Sequence, residues 1–175
     1  MQGLKKLTVA VFAVCLLATA AQADLVTTTG ADGYGASSFI SAGVWSDGLA
    51  PHSGADYLID DEDRVRTPGD SGSYVFGGDS LTVSSLGSGS NLYLMGLTYK
   101  GIGTTGMITV DNLILDGGAI NHLNGQGDYF QLYGNLNVAS DSFIYAKQGP
   151  IYLYSTLSGS AQITIPASDA TACKV

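Results

Sequence analysis

The chain has 175 residues, of which only 13% are charged, with 24 glycines, ten tyrosines and a formal net charge of −8. Fifteen acidic residues against seven basic ones exclude nucleic acid as a partner, because phosphates require clustered Lys and Arg to displace counterions, and they disfavour anionic lipid surfaces. The length suits a single hydrophobic core rather than two domains.

In chain order, Lys5 and Lys6, the apolar stretch Leu7 to Ala18 and the small-x-small Ala21-Gln22-Ala23 predict an export signal over 1–23, cleaved after Ala23. The stretch is short for a bilayer span, and Cys15 lies mid-stretch rather than at a cleavage point, which argues against a lipid anchor. With Lys5 and Lys6 gone, five basic residues face fifteen acidic ones, a formal charge of −10, and Cys173 is left with no partner for an internal disulfide. The expected location is secreted, or the cell surface or outer envelope of a Gram-negative-type bacterium, with no membrane insertion after cleavage.

Residues 24–56 differ in composition from the remainder of the chain: Thr27, Thr28 and Thr29 and several glycines lead to Ser37-Ser38-Phe39-Ile40 and then to Trp45, the single tryptophan. This segment is expected to be an N-terminal cap with Trp45 as its apolar plug. From 57 to 165, short runs of two-residue alternation recur between Gly, Ser, Asn and Asp, and no long stretch carries a 3.6-residue period. The runs include Tyr57-Leu58-Ile59, Leu81-Thr82-Val83, Leu92-Tyr93-Leu94, Met107 to Val110, Leu113-Ile114-Leu115, Leu136-Asn137-Val138, Phe143-Ile144-Tyr145, Ile151 to Tyr154 and Ile163-Thr164-Ile165.

One unit recurs. Asn112 to Ile120 lines up with Asn135 to Ile144 as strand, polar turn, strand, and the leading residues Leu81, Leu113, Leu136 and Ile163 stand 32, 23 and 27 residues apart. A repeat of this size with two or three short strands suits stacked coils. The expected fold is therefore all-β: a single-domain, right-handed parallel β-solenoid (β-helix) with an N-terminal cap. A β-sandwich is the alternative, since it also spaces short strands at regular intervals. Residues 166–175 carry no turn-and-strand pattern, so they read as an irregular tail that leaves the C-terminal end uncapped and open to an end-to-end contact.

The runs Gly43-Val44-Trp45-Ser46-Asp47-Gly48-Leu49-Ala50-Pro51, Gly54 to Ile59, Arg66-Thr67-Pro68, Phe76 to Leu81 and Asn112 to Gly118 resemble the N-terminal part of bacterial surface proteins with autotransporter-associated β-strand repeats, some of which end in a Pro-Glu-Pro type sorting signal. The resemblance covers most of residues 37–140 and contains no catalytic signature. It implies an exported, passenger-like solenoid with a structural or adhesive role.

Tested for chemistry, Asp60-Asp61-Glu62-Asp63 is the densest acidic run, and Asp60, Asp61 and Asp63 are a weak calcium candidate. It lacks the spacing of an EF-hand or a β-roll, and consecutive acids on a strand point to opposite faces, so a solvated turn partly neutralised by Arg64 and Arg66 is the favoured reading. His52 and His122 read as surface loop residues. Asp111, Asp116, Asp128 and Asp141 offer carboxylates for a polysaccharide-degrading β-helix enzyme, the third reading, but Lys100 and Lys147 are the only bases nearby. No metal or other cofactor is expected.

Tyr93, Tyr99, Tyr129, Tyr133, Tyr145, Tyr152 and Tyr154 concentrate in the second half and are read as exposed. Six of them, Tyr93, Tyr129, Tyr133, Tyr145, Tyr152 and Tyr154, are candidate glycan-binding residues, because planar rings stack on sugar faces. A structural tyrosine ladder between coils is the favoured reading of these residues. The first expectation is a non-catalytic structural or adhesive module. The second is a carbohydrate-binding module whose partner is cell-surface or extracellular polysaccharide.

Overall fold

The computed structural model describes residues 23–101, 105–123 and 128–166. The expected signal, apart from Ala23, and the expected tail, apart from Pro166, lie outside them, as do both cysteines.

Among the described residues twelve strands form: β1 Asp24–Thr27, β2 Ala55–Ile59, β3 Arg64–Arg66, β4 Ser73–Val75, β5 Ser80–Val83, β6 Gly96–Tyr99, β7 Gly106–Asp116, β8 Ala119–His122, β9 Phe130–Ser140, β10 Ser142–Ala146, β11 Ile151–Gly159 and β12 Ile163–Thr164. One sheet runs β1-β2-β5-β7-β9-β11, with β4 beside the first half of β7, and the other runs β12-β10-β8-β6-β3. Every strand pair is parallel, and successive strands of each sheet belong to successive coils. This is a parallel β-solenoid of about four turns. It corrects the sandwich alternative, which requires antiparallel strands in two facing layers.

Alternation along each strand sends every second residue inward, and in-register stacking turns those residues into columns. Val26, Tyr57, Leu81, Leu113, Leu136 and Leu157 form one column, Ile59, Val83, Leu115 and Val138 a second, and Val65, Leu97, Ile120 and Ile144 a third from the other sheet. Apart from Leu157 at the end, these side chains are buried, each worth about 1.5–3 kcal/mol by burial of apolar surface.

The repeat is seen directly: Asn112 pairs with Asn135, Leu113 with Leu136, Leu115 with Val138, and Ile120 with Ile144. The later copy placed at Ile163 is corrected. Leu157 continues the leucine column, whereas Ile163 pairs with Ser142 in the other sheet. The run Leu92-Tyr93-Leu94, expected as the strand that follows Leu81-Thr82-Val83 in a looser first copy of the unit, also shifts. Leu92-Tyr93-Leu94 follows a short 3-10 turn, Gly89–Asn91, and the strand is Gly96–Tyr99, where Leu97 meets Ile120.

Residues 28–45 lie against the first coil. Asp32 N–H donates to Arg64 O (2.7 Å) and Phe39 N–H to Arg66 O (3.3 Å), which occupies the outer edge of β3. Trp45 is buried, packs edge-on against Tyr57 (4.8 Å between ring centroids) and donates its Nε1–H to Ser38 O (2.7 Å). Phe76 touches both rings, and Phe39 packs on Phe76 at 5.3 Å. The Asp32 carboxylate is buried and accepts from Ser38 N–H (2.8 Å), Ser38 Oγ–H (2.7 Å) and Arg66 N–H (2.9 Å), which fastens this segment to the coil beneath.

Candidate binding surface

On a parallel stack the outward positions form rows as regular as the inward columns. Along the first half of β7, β9 and β11 these rows are Met107, Gln131, Tyr152 and Thr109, Tyr133, Tyr154. Tyr133 and Tyr154 stack at 4.9 Å with planes 17° apart, Tyr152 lies 6.3 Å from Tyr154, and Tyr129 meets Tyr152 edge-on at 5.4 Å. Four of the six candidate tyrosines therefore gather in one patch, with Tyr154 55% exposed and Tyr129 41% exposed.

The other two sit elsewhere. Tyr93 packs against Phe143 (4.9 Å) and Tyr145 (5.4 Å), where β10 belongs to the second sheet. Tyr99 corrects its reading as exposed. It is buried, stacks on Phe130 at 4.9 Å and 6°, and accepts Gly106 N–H at 2.7 Å. Burial pushes its hydroxyl pKa up to about 12.

The second halves of the same strands carry polar rows. Asp56 pairs with Ser80, which directly precedes the Leu81–Leu113 pair, and Asn112, Asn135 and Thr156 are register partners, with Ile114, Asn137 and Ser158 two residues further on. With Asp79, Leu113 and, at one end, Ala23, the last residue of the expected signal, they line a groove of about 710 Å³. Asn112 Nδ2 donates to Asp79 O and Asn135 Nδ2 to Asp111 O, both at 2.8 Å. This asparagine ladder was missed in the sequence, although the aligned Asn112 and Asn135 were its signal.

The acidic run is a tight turn rather than a strand. Asp63 N–H donates to Asp60 O at 2.8 Å, and Asp61 and Glu62 both take left-handed φ values of 50° and 61°. Asp60, Asp61 and Asp63 do not converge, and no group of three or more His, Cys, Asp or Glu among the described residues is placed to hold a metal. The arginines correct their reading too. Arg64 Nη2 donates to Asp32 O at 2.8 Å, and Arg66 is 6% exposed with the Tyr34 ring 5.9 Å from its guanidinium carbon. Burial lowers the pKa of both.

His52 is a surface residue, 3.5 Å from Asp47 and 2.9 Å from Ser53 O. His122 is not. Its side chain is fully buried, with Nε2 3.1 Å from Asp128 Oδ1, and Asp128 is buried with it. All four residues of β8 are buried, so His122 departs from the inward–outward alternation that the strand pattern implies. Desolvation holds the imidazole below the ordinary histidine value against the opposing pull of Asp128.

The remaining carboxylates do not share one face. Asp111 sits at the irregularity between Val110 and Asn112, while Asp116 and Asp141 serve the turn after the long strands, accepting from Ser140 Oγ–H and from Gln162 N–H respectively. Lys100 donates its Nζ to Gly35 O and Ala36 O. No protein-family model matches this chain, and neither a curated protein nor a solved structure matches it.

Proposed function

We propose that the chain is an exported, non-catalytic structural or adhesive surface module, passenger-like in its architecture. The observation that carries this reading is the in-register parallel stack. It devotes nearly every strand residue to a column, a ladder or an outward row, and it ends in an exposed aromatic patch. The acidic composition and the expected export signal agree with an extracellular setting, and the resemblance to autotransporter-associated repeat proteins supports the passenger-like role. The test is expression of the full reading frame in a Gram-negative host. Expected are a mature N-terminus at Asp24 by mass spectrometry and access of external protease or antibody to intact cells. Retention in the cytoplasm, or turnover of any polysaccharide, would overturn the reading.

A second reading, a carbohydrate-binding module, is favoured by the gathering of Tyr129, Tyr133, Tyr152 and Tyr154. On a glycan array, Tyr152→Ala with Tyr154→Ala should abolish binding through that patch, since both stacked rings of its centre are removed.

A further inference from the structure

The groove over β2, β5 and the second halves of β7, β9 and β11 is distinct from the tyrosine patch and has a chemistry of its own. We propose that it binds an extended, uncharged polysaccharide lying along the solenoid axis.

Shape is the first argument. The lining runs from Asp56 on β2 to Thr156 and Ser158 on β11, crossing five neighbouring strands. Four inter-strand spacings of about 4.8 Å make it roughly 19 Å long. Its 710 Å³ falls within the usual range for ligand sites.

Periodicity is the second. Ser80, Asn112, Asn135 and Thr156 present hydroxyl and amide groups once per coil, so a ligand that repeats along its own length can meet each in turn. A polypeptide would gain its main-chain bonds at a sheet edge, whereas this groove lies on a sheet face whose backbone groups are already paired.

Charge is the third. Among the described residues no Lys or Arg lines the groove, while Asp56 and Asp79 stand at one end. An acidic polymer would meet repulsion and no counter-charge. Both carboxylates are engaged, Asp56 with Ser80 Oγ (2.5 Å) and Asp79 with Gly54 N–H (3.0 Å), so they shape the end of the groove.

Preorganisation is the fourth. The bonds from Asn112 and Asn135 to Asp79 O and Asp111 O fix each amide and consume one of its two N–H donors, so little side-chain freedom remains to be lost on binding.

The test is affinity electrophoresis of the full chain through gels containing hydroxyethylcellulose, galactomannan or polygalacturonate, followed by calorimetry with neutral oligosaccharides of increasing length. Expected are retardation by a neutral polymer and affinity that rises with length until the groove is filled. Asn137→Ala with Ser158→Ala, two exposed positions, should weaken binding at least tenfold with an unchanged melting curve, and Tyr154→Ala should leave it unchanged. Asn137→Trp, which fills the groove without removing a residue the fold uses, should also block binding. Loss with Tyr154→Ala alone would move the ligand to the tyrosine patch and overturn the proposal. Stronger retardation by polygalacturonate, or none by any neutral polymer, would overturn it as well, while leaving the structural reading in place.

Discussion

Asp32 does more for the start of this fold than its small side chain suggests. Buried, it receives three donors from Ser38 and Arg66, while its own backbone meets Arg64 on both sides. Asp32→Ala leaves those donors unsatisfied, and a loss of about 3 kcal/mol is expected in urea unfolding. His122 gives a pH dependence. Its pKa is lowered in the folded state, so the unfolded chain takes up the proton first as pH falls. The contribution is intact above the unfolded value of about 6.5 and is lost as pH drops from there through the lower folded value, with a slope of up to about 1.4 kcal/mol per pH unit. The facing groups are Asp128, which opposes the shift, and the Tyr99 ring at 5.0 Å. His122→Phe should flatten the profile of denaturation midpoint against pH between 5 and 7. Neither role was legible in the sequence. A histidine in Ala-Ile-Asn-His looks like the wet end of a strand, and only the packing of Tyr99 and Gly149 around it reveals otherwise.

At the scale of elements, the sequence showed most strands but not how they join. Met107 to Val110 and Leu113 to Leu115 looked like separate runs because Asp111 breaks their alternation. The structure carries them as one strand, β7, with the irregularity at that residue. The alignment of Asn112 to Ile120 with Asn135 to Ile144 contained one extra residue, and the register shift between Leu115 and Asp116 locates it. β3 was missed because Arg-Val-Arg lacks an apolar pair, and β6 because Gly96 opens it. At the bend of β9, Gly134 has a φ of 110°, and a Cβ there would stand 2.0 Å from Val110 O on the coil below. Gly134→Ala is expected to cost about 2–4 kcal/mol, combining a left-handed backbone with a clash against main chain. Gly33→Ala, where a Cβ meets nothing within 4 Å, should be near neutral, and thermal melts of the two variants compare them directly.

Across the whole molecule, stability is a sum over coils and the contacts between neighbours. Leu113 and Leu157 occupy the same column, yet the first is buried between β5 and β9 and the second is 58% exposed at the end. Leu113→Ala should therefore cost about 2–5 kcal/mol and Leu157→Ala well under 1 kcal/mol, as read from urea midpoints. The column principle was legible from the spacing of Leu81, Leu113 and Leu136, but its last member was not, because Leu157 and Ile163 are equally apolar and only pairing decides between them.

The parallel ladder also sets how the molecule answers tension. Its inter-strand bonds point along the axis of the stack, so a pull applied between the two ends draws neighbouring strands directly apart instead of sliding them past each other. Under such a load the rod should yield coil by coil. The step between Leu113 and Leu136 would release 23 residues, about 80 Å of contour length at full extension. A tether built this way lengthens under load and absorbs work before it lets go.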